Sequence, residues 1–189
     1  MQANYPPLPR TCRFVATANR RLARGLCCLA GALLVLLLSC SQATAQKAVV
    51  LVRHAEKVDE SKDAPLSKAG LERAERLAQK LRSLGLTTIF VSEFQRTQQT
   101  AAPTAQLLHL QPQVIAAAQR SLLVQRLRSL PAQAIALVVG HSDTLPLIIK
   151  DLGVASPPSI GREDYDYLFV VLPSAAGQPP SATLLPLRQ

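Results

Sequence analysis

Past residue 46 the chain alternates between short apolar runs and longer amphipathic stretches. "KAVVLVRH", 47–54, is apolar at consecutive positions and then turns polar. Such a run predicts a strand buried on both faces. "VDESKDAPLS", 58–67, is a polar loop. From 66 to 85, Leu66, Leu71, Ala74, Leu77, Ala78, Leu81 and Leu84 recur at helical spacing, and Gly85 is a natural stop. "LTTIFVS", 86–92, is short and β-branched, which predicts a strand. "EFQRTQQTAAPTAQLLHL", 93–110, predicts a helix that Pro103 kinks or splits. Residues 112–116 read as a weak strand, 119–130 as a short amphipathic helix and 132–141 as a buried strand ending in Gly-His. A glycine closes the helix predicted over 144–153, and late strands follow at 165–173 and 181–187.

Strands that alternate with helices imply βαβ units and a largely parallel sheet covered on both faces. The expected fold class is therefore α/β, a three-layer sandwich with a mostly parallel central sheet flanked by helices. No repeat or interdomain linker interrupts it.

Charge changes the picture at the N-terminus. The formal net charge is +9, yet residues 1–45 hold Arg10, Arg13, Arg20, Arg21 and Arg24 and no Asp or Glu. Residues 46–189 carry 16 basic and 12 acidic side chains, so the excess there is modest. No cluster of cations with interleaved aromatics exists in that part, which argues against a nucleic-acid partner. The arginine-bearing start precedes an apolar run over 25–39 and the small-residue stretch "ATA", 43–45. That order predicts a signal peptide or lipoprotein leader over 1–45, shorter than the ~20 apolar residues of a spanning helix. "LLSC", 37–40, resembles a lipoprotein box, with Cys40 as a possible lipid anchor. The expected location is exported: periplasmic, or envelope-anchored if Cys40 is lipidated. Residues 46–189 form the expected functional domain. All four cysteines lie in the leader, so that domain has no thiolate for zinc and no disulfide.

Candidate chemistry gathers where strands end. In a parallel sheet, ligands bind outside the carboxyl ends of the strands. "VVLVRH", "TTIFVSEFQRT" and "ALVVGHSDT" would carry Arg53, His54, Arg96 and His141 to one mouth if their strands are neighbours. Two guanidiniums can hold phosphate oxygens in bidentate geometry and neutralise charge growing on them. A neutral imidazole is a competent nucleophile near pH 7, and adjacent cations favour its neutral form.

With "LVRHAEK", "SEFQRTQQTA" and "VVGHSDT" in this order, the chain resembles the histidine phosphatase superfamily across 47–172. The resemblance implies a phosphoglycerate mutase-like fold. It implies His54 as nucleophile, with Arg53, Arg96 and His141 forming the phosphate pocket. It implies a metal-independent phosphatase that needs no cofactor and works through a phosphohistidine on His54. The partner would be a phosphorylated small molecule, glycan or protein segment. Many family members place a proton-donating Glu between the second Arg motif and the second His. Here 116–134 holds no Asp or Glu. Asp143 is the preferred substitute acid and Glu93 the alternative, although Asp143 also suits a helix cap. Glu56 is read as organising the first loop, His109 as a helix-end or packing histidine, and the charges of 68–82 as a solvated helix face. A non-catalytic phosphoryl-binding envelope module and a phosphotransferase or mutase are the rival readings.

Overall fold

The computed structural model describes residues 47–172 and 181–186. The leader predicted over 1–45, with its small-residue site and Cys40, lies outside the described residues, as does the loop 173–180. The elements run β1 (Ala48–Arg53), α1 (Lys68–Leu81), β2 (Thr88–Val91), α2 (Gln95–Leu108) and β3 (Gln113–Val114). They continue with a 3-10 turn (Ala117–Gln119), α3 (Arg120–Ser129), β4 (Ile135–Gly140), α4 (Thr144–Asp151), β5 (Tyr167–Leu172) and β6 (Ser181–Pro186).

Six strands form one sheet in the order β3-β2-β4-β1-β5-β6. β1, β2, β3 and β4 are parallel, while β5 and β6 run antiparallel at one edge. The register sets Arg53 opposite Gly140, and Val91 opposite Val139. The three strands predicted to carry chemistry are thus adjacent, with β4 in the middle.

Alternation along each strand explains why the sequence showed unbroken apolar runs. Val49, Leu51, Ala136 and Val138 pack with Val124, Leu127, Leu145 and Ile149 of α3 and α4. Val50, Val52, Leu137 and Val139 pack with Leu77, Leu81, Ala101 and Ala105 of α1 and α2. Both faces of a central strand are therefore core, and a polar residue on either face would be stranded.

Several boundaries differ from the sequence pattern. α1 starts late because Ser67 caps it, its side chain accepting from Gly70 N at 3.1 Å. It stops at Leu81, ahead of Gly85, whose φ of 70° suits the turn that follows. Leu71 and Leu84, counted as core by periodicity, stand exposed. α2 passes through Pro103 without being split. It ends on His109, which takes a left-handed conformation at the cap, in keeping with a helix-end histidine. The weak strand of 112–116 shrinks to two edge residues.

Candidate active site

β1 delivers two polar residues as it leaves the sheet. Arg53 closes the ladder, and His54 N donates to Gly140 O at 2.9 Å, so the His54 backbone is pinned beside β4. The next turn is held by α2. Ala55 N donates to Thr100 Oγ1 at 3.0 Å, and Leu66 N donates to Gln99 Oε1 at 2.7 Å. α1 approaches so closely that a Cβ on Gly70 would stand 2.2 Å from Glu56 O. The Glu56 carboxylate accepts from Arg73 Nε at 2.9 Å, and Arg73 also bonds Asp166. Glu56 therefore organises the first loop, as expected, whereas Arg73 departs from its expected place on a solvated face.

The tip of β4 is equally tight. A Cβ on Gly140 would meet Leu145 Cδ2 at 2.7 Å, so the Leu145 side chain of α4 packs directly against the glycine ahead of His141. Arg53, His54, Arg96, His141 and Asp143 line one open cleft of about 710 Å³, together with Lys57, Glu60, Arg162 and Tyr165. His54 is 4 % exposed and His141 8 %, with ring centroids 5.3 Å apart. The sheet order alone brings these residues together.

Protons can be placed on His54 by its contacts. Its Nδ1 lies 2.8 Å from Ala55 O, a group that only accepts, so Nδ1 carries the hydrogen of the neutral ring. Nε2 then holds the free lone pair. Burial is the main cause that pushes the His54 pKa down to about 3; the Ala55 contact opposes it, and His141, Arg53 and Arg96 add to it. Burial likewise pushes His141 down to about 4, with Arg96 assisting and Asp143 opposing. Both rings are neutral at pH 7 in this state. A His141 that donates to phosphate as an imidazolium thus needs an anion to raise its pKa first.

The two arginines are held differently. Arg53 donates from Nη1 to Gly161 O at 3.0 Å and Arg162 O at 2.5 Å, and from Nη2 to Tyr165 Oη at 3.3 Å. Its guanidinium also stacks 4.1 Å from the Tyr165 ring centroid. Arg96 donates to Lys62 O at 2.9 Å and lies 4.3 Å from the Phe94 ring centroid. Burial draws the Arg96 pKa below its usual value. Among the described residues, Arg53 Nε and Arg96 Nε are buried donors with no protein acceptor.

The two candidate acids separate. Asp143 sits at the start of α4 but makes no capping bond, and its exposed side chain faces the cleft. Glu93 accepts from Ala117 N at 2.8 Å and is absent from the cleft lining. The capping bond weighed for Asp143 at α4 is not made, whereas at the start of α2 Asp63 accepts from Gln95 N at 2.8 Å.

Tyr165, Arg162 and Ser92 were missed. Ser92 follows β2 directly, and a polar residue at that rim position was a usable signal. Tyr165 and Arg162 reach Arg53 across more than a hundred residues, and nothing in "GREDYDY" announces it.

Residues 49–118 match the model of the histidine phosphatase superfamily (branch 1). That segment holds Arg53, His54 and Arg96. No curated protein sequence matches the chain. Among solved structures, the protein histidine phosphatase SixA complexed with tungstate is 19 % identical, with a TM-score of 0.62, over 74 % of this chain and 97 % of that one. Phosphoserine phosphatase in complex with 3-phosphoglyceric acid, from Entamoeba histolytica, is 15 % identical at TM-score 0.57, over 73 % and 95 %. Mycobacterial glucosyl-3-phosphoglycerate phosphatase is 14 % identical at TM-score 0.55, over 66 % and 89 %. These likenesses show the shared fold. The family that the three motifs resemble is the one whose model matches residues 49–118.

Proposed function

From that histidine phosphatase kinship, we propose that this protein is a phosphatase that transfers a phosphoryl group to His54 Nε2 and then to water. One observation carries the reading. A buried, neutral His54 presents a free Nε2 beside a second imidazole, and the buried donors Arg53 Nε and Arg96 Nε have no protein acceptor. Buried donors without acceptors are rare, and phosphoryl oxygens would satisfy them.

In the first step the His54 Nε2 lone pair forms a bond to phosphorus as the bond to the leaving group breaks. The Nδ1–H bond to Ala55 O supports the positive charge that develops on the ring. Arg53 and Arg96 neutralise the equatorial oxygens. A poor leaving group takes a proton as it departs, and the position of Asp143 at the cleft supports it as the acid that gives one. Water then attacks the phosphohistidine, and His54 returns to its neutral form. The arginines supply the positive charge that a metal ion supplies in other phosphoryl transfers.

The open cleft accommodates a phosphorylated protein segment as well as a small metabolite or glycan phosphate. A phosphorylated nitrogen on a protein suits it best. Imidazole departs more easily than alkoxide, and the favoured acid in the cleft, Asp143, is exposed. The likeness to a protein histidine phosphatase supports the same choice. Hydrolysis is favoured over mutase chemistry because, among the described residues, no long insertion covers the cleft to retain a reorienting substrate. Export to the envelope, with or without a lipid at Cys40, belongs to this proposal.

The test is a panel of phosphohistidine peptide, phosphoserine peptide and p-nitrophenyl phosphate, assayed with chelator present and followed by rapid quench. Turnover with a base-stable, acid-labile adduct mapped to His54 is expected. Binding without turnover would make the protein a phosphoryl-binding module. Isomerised product in place of free phosphate would make it a mutase.

A further inference from the structure

Ser92 stands between β2 and α2, 5 % exposed, and Thr97 beside it is fully buried. Ser92 Oγ lies 2.9 Å from Thr97 Oγ1 and 3.0 Å from His141 Nε2. The Thr97 hydroxyl owns one hydrogen. Two backbone carbonyls are in position to accept it, Phe94 O at 2.9 Å and Ser92 O at 3.1 Å. With the Thr97 hydrogen on one of these carbonyls, Thr97 Oγ1 meets Ser92 as an acceptor. The Ser92 hydrogen is then spent on Thr97. What Ser92 Oγ turns toward His141 is a lone pair, and two facing lone pairs repel. Nε2 must carry a hydrogen.

We propose that the Thr97–Ser92 pair fixes neutral His141 as its Nε2–H tautomer, which makes Nδ1 the nitrogen that takes up and releases a proton. Thr97 and Ser92 are positioning residues, because they act on His141 and have no need to touch substrate. The importance of this for turnover rests on the phosphatase reading; the hydrogen count does not.

The surroundings of the ring fit. Arg96, Arg53, Asp143 and Glu93 are the charged groups that act on His141, and His54 is the titratable ring beside it. The Phe94 ring edge packs 5.3 Å away, and Thr144 Oγ1 engages the backbone of His141. Among the described residues, Ser92 is the hydrogen-bond partner of the ring. A protonated His141 would still donate from Nε2 to Ser92. The ring can therefore titrate at Nδ1 without rotating, which is what a group answering the arrival of a phosphate must do.

The experiment is nitrogen NMR of His141 in the intact, substrate-free protein at neutral pH. Wild type should show a protonated Nε2 and a bare Nδ1. Thr97→Val removes the acceptor that occupies the Ser92 hydrogen. Ser92 then donates to Nε2, and His141 should swap to Nδ1–H. Thr97→Ser keeps the acceptor and should keep the wild-type tautomer. Ser92→Ala should leave a mixture. Nδ1–H in wild type, or Nε2–H retained in Thr97→Val, would overturn the proposal. If Thr97→Val does not fold, wild type and Ser92→Ala decide, and an unmixed Nε2–H ring in Ser92→Ala overturns it. In turnover, Thr97→Val should lower kcat roughly 10-fold with little change in KM, and Thr97→Ser should restore it. A swapped tautomer with undiminished kcat would keep the tautomer assignment and sink the catalytic use of His141.

Discussion

The floor and the rim of the cleft both carry ionisable groups and put them to different use. On the floor, His54 and His141 are nearly sealed from water and lose their charge, with pKa values pushed down to about 3 and about 4. On the rim, Glu60 pairs with Lys57 at 3.0 Å and with Arg162 at 3.0 Å, with Glu60 and Arg162 more than two-thirds exposed. Glu60 is held below the usual carboxylate range by those bonds, chiefly the one from Lys57. The charges at the rim survive because water still solvates them. Exposed pairs of this kind contribute little, and salt screens them. Burial, more than residue type, decides which groups lose their charge. Arg53 joins the two regions, since it adjoins His54 and holds the carbonyls of Gly161 and Arg162.

The largest effect should come from the floor. His54→Ala removes the nucleophile, and both turnover and phosphoryl labelling should vanish while the circular dichroism spectrum stays native. Residual turnover near wild type would dissolve the distinction between floor and rim. Next come the arginines. Arg53→Ala and Arg96→Ala should each lose about 2.7–4 kcal/mol of transition-state stabilisation, the scale of a lost oxyanion donor. Lysine should rescue poorly because it lacks the planar fork. Arg53→Ala should also loosen residues 161–165, visible as faster amide exchange there, whereas Arg96→Ala should not.

A smaller effect concerns pH. Both histidines have folded pKa values below their unfolded value of 6.5. Above pH 6.5 both states bind no proton at these rings, so the full stability is present. As pH falls, the unfolded chain binds protons first, and stability is lost toward pH 4 and pH 3, at up to about 1.4 kcal/mol per pKa unit of difference. Melting temperature measured from pH 7 to pH 4 should fall, and His141→Asn should flatten that slope. For the same reason, kcat/KM should show no acid limb near 6.5 from His54. The smallest effect belongs to the rim. Glu60→Gln should leave the melting temperature within error of wild type at moderate salt. A clear loss would mean that the rim holds the cleft together.

Much of the fold was legible because its causes are local. Alternating apolar strands and amphipathic helices follow from period, and Ser67 ahead of α1 is a cap by residue type. The residues of the three motifs were legible because a strand that ends in Arg-His or Gly-His must place them where the sheet stops. The errors have physical sources too. Leu71 and Leu84 fit the helical period, but the neighbouring layers do not reach that far. Along the chain Asp143 was the preferred acid and Glu93 the alternative, with no contact to separate them. A backbone amide 24 residues away, at Ala117, occupies Glu93 and leaves Asp143 at the cleft.

The sequence by itself determined an α/β sandwich and which side chains would stand at strand ends, since both depend on neighbours within a turn or a pleat. Tertiary structure alone decided that β4 lies between β1 and β2, that Tyr165 stacks on Arg53, and that Ser92 meets the ring of His141. Each of these is a contact between distant segments, and its geometry exists only once the sheet has chosen its strand order.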